Sequence, residues 1–199
     1  MPNFDWLATP IWVNLLFFVP VLLWFYFRKT TLNLTNHQLL LTAIFGIAFG
    51  FIESACVIYL RASADLLPGF KGTLADVQRR AFEAYNQQLL PSELPMSLLT
   101  VEFIREIGTM IMIIILAFAV AKYFKERMAL FLWVFAFWDV FYYVFVYILV
   151  RWPGNFRTKD VLFLIPQPWF GEVWMPIGIS IAVILVIILN RRGKILSKD

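Results

Sequence analysis

The sequence predicts an all-α fold: a polytopic membrane bundle of five transmembrane helices, with one amphipathic extracytoplasmic helix and a re-entrant or interfacial segment. Hydrophobic residues make up 61% of the 199 residues, and the mean hydropathy is +0.77. Charged residues make up 15%, whereas soluble domains contain about 25%. The apolar residues also gather in runs near the roughly 20 residues with which a helix crosses a bilayer. A soluble globular protein is therefore excluded, and the lipid bilayer is the first predicted partner.

The predicted spans belong to a single membrane domain that covers residues 1–199. Several of them stop at a basic residue, as at Arg28, Arg61 and Lys122, because Lys and Arg collect where an apolar helix reaches the polar interface. The five spans run over residues 11–27, 38–60, 98–121, 129–150 and 173–189.

Two segments between the spans are predicted not to cross. The loop 62–97 contains apolar residues at helical spacing from Thr73 to Leu90, which predicts an amphipathic helix on the membrane surface, either a lid or a plain connector. The segment 155–172 is too apolar for a free loop and too short to cross. Its two prolines and its glycine favour a re-entrant or interfacial turn packed against the bundle.

The distribution of Lys and Arg predicts the orientation. One side of the membrane collects nine of them in short segments, and the other side has seven, spread through longer loops that also hold six acids. The positive-inside rule then places the N-terminus outside and the C-terminus in the cytoplasm.

The third span carries three formal charges. Glu102, Arg105, Glu106 and Thr109 lie at i, i+3, i+4 and i+7, so they share one face of the helix. A charged side chain at membrane depth costs about 2.5 to 3.5 kcal/mol even on the lenient insertion scale. This face is therefore predicted to contact other helices and not lipid.

The second span carries a stripe of small residues that leads to a carboxylate. Gly46 and Gly50 precede Glu53 on the same helix face, and a Gly-x-x-x-Gly pattern allows another backbone to approach closely. The approaching helix could belong to the same chain or to a second copy in a homo-oligomer.

The acids of three spans are predicted to meet in the outer half of the bilayer. At about 1.5 Å per residue, Glu53, Glu106 and Asp139 lie roughly 10, 12 and 16 Å below the outer boundary. Glu102 lies about 6 Å below it by the same rise. These four acids face the single positive charge of Arg105. Such an excess of negative charge cannot persist at low dielectric, so either the acids hold protons or a cation lies among them.

The metal hypothesis assigns the four acids Glu53, Glu102, Glu106 and Asp139 as ligands. An all-oxygen ligand set favours Mg, Mn or Ca, and Fe is also compatible with it. Tyr142 and Tyr143 would add a ligand, a proton donor or a hydrogen bond to a ligand. A single histidine, His37, cannot build a bis-histidine haem site, and nucleotide-binding or nucleic-acid-binding motifs are not found. The predicted catalytic residues are Glu53, Arg105, Glu106, Asp139, Tyr142 and Tyr143.

Four short motifs resemble a family of bacterial multi-span inner-membrane proteins with no assigned activity. The motifs are Glu102-x-x-Arg105-Glu106, Trp138-Asp139-x-x-Tyr142-Tyr143, Trp152-Pro153 and Phe163-Leu-Ile-Pro166-x-Pro168-Trp169. The resemblance covers the second to fifth spans. It implies the plasma (inner) membrane of a prokaryote and no particular reaction.

Three functional hypotheses follow. In the first, the protein is an enzyme that uses the acid cluster, with a cation or shared protons, on a lipid-soluble or anionic substrate, and Arg105 positions a phosphate or carboxylate. In the second, it is a proton- or cation-coupled transporter that uses the same acids as a relay. In the third, it is a structural or assembly subunit whose buried charges hold the helices together.

Overall fold

A computed structural model describes residues 8–29, 31–63 and 96–191. A 3-10 helix at Ile11–Phe18 continues into the first α-helix, and an antiparallel hairpin separates the last two α-helices. The predicted helix 73–90 and most of the loop 62–97 lie outside the described residues. The elements are α1 (Val19–Lys29), α2 (Asn36–Ser63), α3 (Met96–Val120), α4 (Phe124–Val150), β1 (Lys159–Phe163), β2 (Trp169–Glu172) and α5 (Trp174–Asn190).

The structure confirms four of the five predicted membrane helices. Within the described ranges, the helical segments long and apolar enough to cross a membrane are Ile11–Lys29, Asn36–Tyr59, Thr100–Val120 and Phe124–Val150. The fifth predicted span corresponds to α5, which is apolar but has 17 residues, or about 25 Å at the rise of an α-helix. The count of five spans is therefore not confirmed.

The central helix of the bundle is α4, which packs against α2, α3 and α5. It approaches α2 very closely at the two glycines of the predicted stripe. A Cβ atom at Gly46 would lie 2.9 Å from the Cβ of Phe137, and one at Gly50 would lie 3.0 Å from the carbonyl oxygen of Trp138. The glycine stripe therefore forms a contact between two helices of the same chain. This is one of the two predicted alternatives, the other being a contact between two copies.

The all-α prediction missed the hairpin that occupies the segment 155–172. Strand β1 pairs with β2, with Asp160 opposite Gly171, and Thr9 extends the pairing through two backbone hydrogen bonds with Phe170 of 2.8 and 2.7 Å. The prolines lie in the connection between the strands, where a turn was predicted. The strands themselves escaped prediction because apolar residues follow one another there without alternating with polar ones.

One helix boundary also differs from the prediction. Helix α4 begins at Phe124 and not near residue 129. The apolar run predicts only part of this helix, which also includes the charged residues that precede the run. Two of these make hydrogen bonds to backbone carbonyls outside the helix: Lys125 Nζ donates to Thr31, and Arg127 Nε donates to Ala121. A helix can therefore extend past its apolar part when its polar side chains find partners at the bundle end.

Candidate functional site

The predicted face of α3 is directed into the bundle and forms an ion pair with α2. Arg105 donates through a terminal guanidinium nitrogen to Glu53 Oε2, and Thr109 Oγ1 donates to Glu53 Oε1 over 2.6 Å. Glu53 is 4% exposed and Thr109 is fully buried. Both carboxylate oxygens of Glu53 thus have partners on α3. We call Glu53, Arg105 and Thr109 the Arg105 group.

The two acids of the α3 face, Glu102 and Glu106, lie beside the Arg105 group. Glu106 accepts a hydrogen bond of 2.9 Å from the backbone N–H of Leu164, in the turn of the hairpin. Glu106 also lies within electrostatic reach of Arg105 and of Glu102. Both acids are buried. Glu106 therefore connects α3 to the hairpin and does not share the bond between Arg105 and Glu53.

Asp139 has a different partner. Ser180 Oγ of α5 donates to Asp139 Oδ2 over 2.8 Å. Asp139 also lies within electrostatic reach of Asp160 of β1.

The two predicted tyrosines lie one turn further along α4. Tyr143 is buried and donates to Asp160 Oδ2 of β1 over 3.1 Å. Tyr142 is half-buried, and its ring contacts the Tyr143 ring edge-on at 5.1 Å between centroids. Tyr143 therefore connects α4 to the hairpin, as Glu106 connects α3 to it.

A cavity of about 320 Å³ lies between the 3-10 helix, the hairpin, α4 and α5, with one residue each from α1 and α3 in its wall. We call it the Asp139 cavity, because Asp139 and Ser180 contribute its polar side chains together with the indole of Trp169. The indole nitrogen of Trp169 is buried and has no hydrogen-bond partner among the described residues. The lining is otherwise apolar. It comprises Val13, Leu16, Val19, Met110, Phe131, Leu132, Phe135, Ala136, Asp139, Leu162, Phe163, Trp169, Met175, Pro176, Ile179, Ser180 and Val183.

The structure thus brings some of the predicted site residues together and separates others. Glu53 and Arg105 meet directly, with Glu106 and Glu102 beside them, whereas Asp139 lies in the cavity against α5. In the described parts of the chain, no three His, Cys, Asp or Glu side chains lie close enough to hold one metal ion. The metal hypothesis gains no support from these residues and stays a prediction.

Sequence reasoning missed Ser180, although a signal for it exists. Helix α5 reads WMPIGISIAVILVIILN, and Ser180 is the one hydroxyl residue within this apolar helix. A lone polar side chain inside an apolar helix is expected to face a polar partner on a neighbouring helix. Applied to the fifth span, this rule would have identified Ser180 as a candidate partner for one of the buried acids.

Comparison of the chain with protein-family models, with curated proteins and with solved structures finds no match. The resemblance to a bacterial inner-membrane family therefore stays a prediction.

Proposed function

We propose that this protein binds a lipid-soluble molecule in the Asp139 cavity and that Asp139 anchors the polar group of this molecule. The observation that carries the proposal is an apolar cavity of about 320 Å³ with a carboxyl group in its wall. Sites for small molecules combine a mostly apolar lining with a few polar groups that fix the orientation of the ligand. They typically measure about 300 to 1,000 Å³. The cavity thus suits a small ligand, or one end of a longer one.

The depth of Asp139 supports a role in binding. It lies 11 residues from the end of α4 at Val150, or about 16 Å along the helix. An acid at such a depth is costly and is by default a functional candidate. Ser180 holds one carboxyl oxygen in place, and the carboxyl group lines the cavity, where the polar group of a ligand can reach it.

We assign the Arg105 group a structural role, in which it holds elements of the bundle together and does not bind the ligand. Its ion pair joins α2 to α3, and the hydrogen bond from Leu164 to Glu106 holds the hairpin against α3. The hairpin in turn contributes Leu162, Phe163 and Trp169 to the cavity wall. In this proposal Glu106 is a positioning residue for the wall and does not touch the ligand.

Binding is the step that the enzyme and transporter hypotheses share. An enzyme would hold its lipid-soluble substrate at the Asp139 cavity, and a transporter would release the same molecule on the other side of the membrane. We include in the proposal that α5 completes five passes, with the hairpin on the extracytoplasmic side of a bacterial inner membrane.

Photolabelling tests the proposal. The purified protein is irradiated in detergent with trifluoromethylphenyl diazirine, a small lipid-soluble photoprobe, and the adducts are mapped by mass spectrometry. We expect adducts at Phe135 and Ile179, which line the cavity from α4 and α5. The variant Ala136→Phe should remove them, because Ala136 is 1% exposed and its enlarged side chain would fill the cavity.

Ile115→Phe is the matched control, since Ile115 is exposed on α3 and should not affect the cavity. Circular dichroism and size-exclusion chromatography establish that both variants fold. The proposal is wrong if wild-type protein takes up no label at the cavity residues. It is also wrong if folded Ala136→Phe keeps the label at the level of the control.

A further inference from the structure

We infer that the molecule bound in the Asp139 cavity is a lipid-soluble cation of the ammonium class, held by the Asp139 carboxylate and by the aromatic rings of the cavity wall. This inference rests on the proposed function and names the chemical class of its ligand. Two independent features of the lining support it: its charge and its aromatic content.

The charge of the lining is unbalanced. Asp139 is an acid, and the described residues that line the cavity include no Lys, Arg or His. Arg105 is already engaged by Glu53. A carboxylate in an apolar wall is stable when a positive charge lies against it. Either a proton on Asp139 or a cation beside it would balance this charge. The aromatic rings of the wall favour the cation.

Aromatic rings face the cavity from two directions. Helix α4 contributes Phe131 and Phe135, whose ring centroids are 6.2 Å apart. The hairpin contributes Phe163 and Trp169, whose centroids are 5.1 Å apart. The faces of aromatic rings attract ammonium groups within about 6 Å, most strongly when water is excluded. Rings on two sides and a carboxylate form the combination that selects an organic cation over a neutral molecule of the same shape.

A pair of isosteric probes tests the inference. The cation is (4-phenylbutyl)trimethylammonium, and its neutral counterpart is (5,5-dimethylhexyl)benzene, in which carbon replaces the charged nitrogen. The Kd of each probe is measured with wild-type protein and with Asp139→Asn in the same detergent. Partitioning of a probe into micelles then cancels in the ratio of the two Kd values.

We expect Asp139→Asn to raise the Kd of the cation by at least about tenfold and to change the Kd of the neutral probe by less than about twofold. The matched control is Glu126→Gln, because Glu126 is a buried acid in the first turn of the same helix and does not line the cavity. It should leave both Kd values unchanged.

The outcomes separate the inference from the proposed function. If both probes bind and Asp139→Asn weakens them equally or not at all, the cation inference and the anchoring role of Asp139 are wrong, while binding in the cavity stands. If neither probe binds to wild-type protein, both are wrong. A cation that binds equally well to folded Asp139→Asn also overturns the inference.

A second variant keeps the test valid if Asp139→Asn fails to fold. Trp169→Leu retains the acid and removes one ring of the wall. It should raise the Kd of the cation several-fold more than that of the neutral probe, and an equal change for both probes would contradict the inference. The ammonium group of the natural ligand could come from a lipid headgroup or from a free amine, and competition by dihexanoyl phosphatidylethanolamine distinguishes the two. Strong competition indicates a lipid headgroup. Weak competition indicates a free amine, which the apolar lining favours.

Discussion

Substitution of Gly50 by alanine should push α2 away from α4. The added Cβ would lie 3.0 Å from the carbonyl oxygen of Trp138, 3.1 Å from the amide nitrogen of Tyr142 and 3.2 Å from the carbonyl carbon of Phe141. All three are backbone atoms, so a change of rotamer cannot relieve the contact. The helices must separate, and the separation also displaces the helix that carries Asp139.

The magnitude follows from two opposing effects. Overpacking of this kind costs about 1 to 3 kcal/mol, whereas alanine gains about 1 kcal/mol over glycine in a helix. Gly108 is the matched control, because no described atom lies within 4 Å of a Cβ placed there. Gly108→Ala should therefore show the gain alone. The two variants should differ by about 1 to 3 kcal/mol in the free energy of unfolding.

Equilibrium unfolding in mixed micelles of a mild detergent and dodecyl sulfate measures this difference. Both variants are compared with wild-type protein under the same conditions. If Gly50→Ala is as stable as Gly108→Ala, the close approach of α2 and α4 is wrong, and with it the placement of Glu53 against α3.

The remaining predictions concern the polar contacts. Glu53→Gln should lower the free energy of unfolding by about 3 to 5 kcal/mol, because it breaks the buried ion pair with Arg105. The double variant Glu53→Gln/Arg105→Gln should recover part of this loss in a double-mutant cycle, and additive losses would refute the ion pair. Glu106→Gln should lower the free energy of unfolding by about 1 kcal/mol, because a neutral acceptor replaces a charged one for the Leu164 N–H. It should also speed the hydrogen exchange of that amide. An unchanged exchange rate would contradict the contact.

The charged face of α3 and the glycine stripe of α2 could be predicted from the sequence. Both depend on helical periodicity, which fixes the side of a helix on which a residue lies. Arg105 and Thr109 are directed inward, as the spacing required, and both contact the same acid, Glu53. The physical rule was that charge at membrane depth must face protein.

A single pocket for all four acids was predicted from depth alone. Depth along the membrane normal does not determine direction around the bundle. Glu53 and Asp139 have comparable depths, yet Glu53 faces α3 while Asp139 faces α5. The packing of α4 between α3 and α5 determines which helix each acid faces. This arrangement of helices cannot be read from a single sequence.

The hairpin contacts escaped prediction for another reason. Glu106 pairs with a backbone N–H, and every non-proline residue carries such a donor, so no residue type in the sequence marked Leu164 as the partner. Tyr143 pairs with Asp160 only because the hairpin folds back onto the bundle. The cavity is likewise a product of tertiary packing, since its lining comes from the 3-10 helix, the hairpin and four α-helices that lie far apart in the chain.

The most direct test of the central claim is a contact between a bound molecule and the wall of the Asp139 cavity. Methionine methyl groups labelled with ¹³C offer this in an NMR experiment, because Met110 and Met175 line the cavity while Met112 is exposed on the surface of α3. With (4-phenylbutyl)trimethylammonium added, we predict nuclear Overhauser effects from its phenyl protons to Met110 and Met175, and their loss in Ala136→Phe. Effects confined to Met112, or equal in the filled variant, would contradict the account.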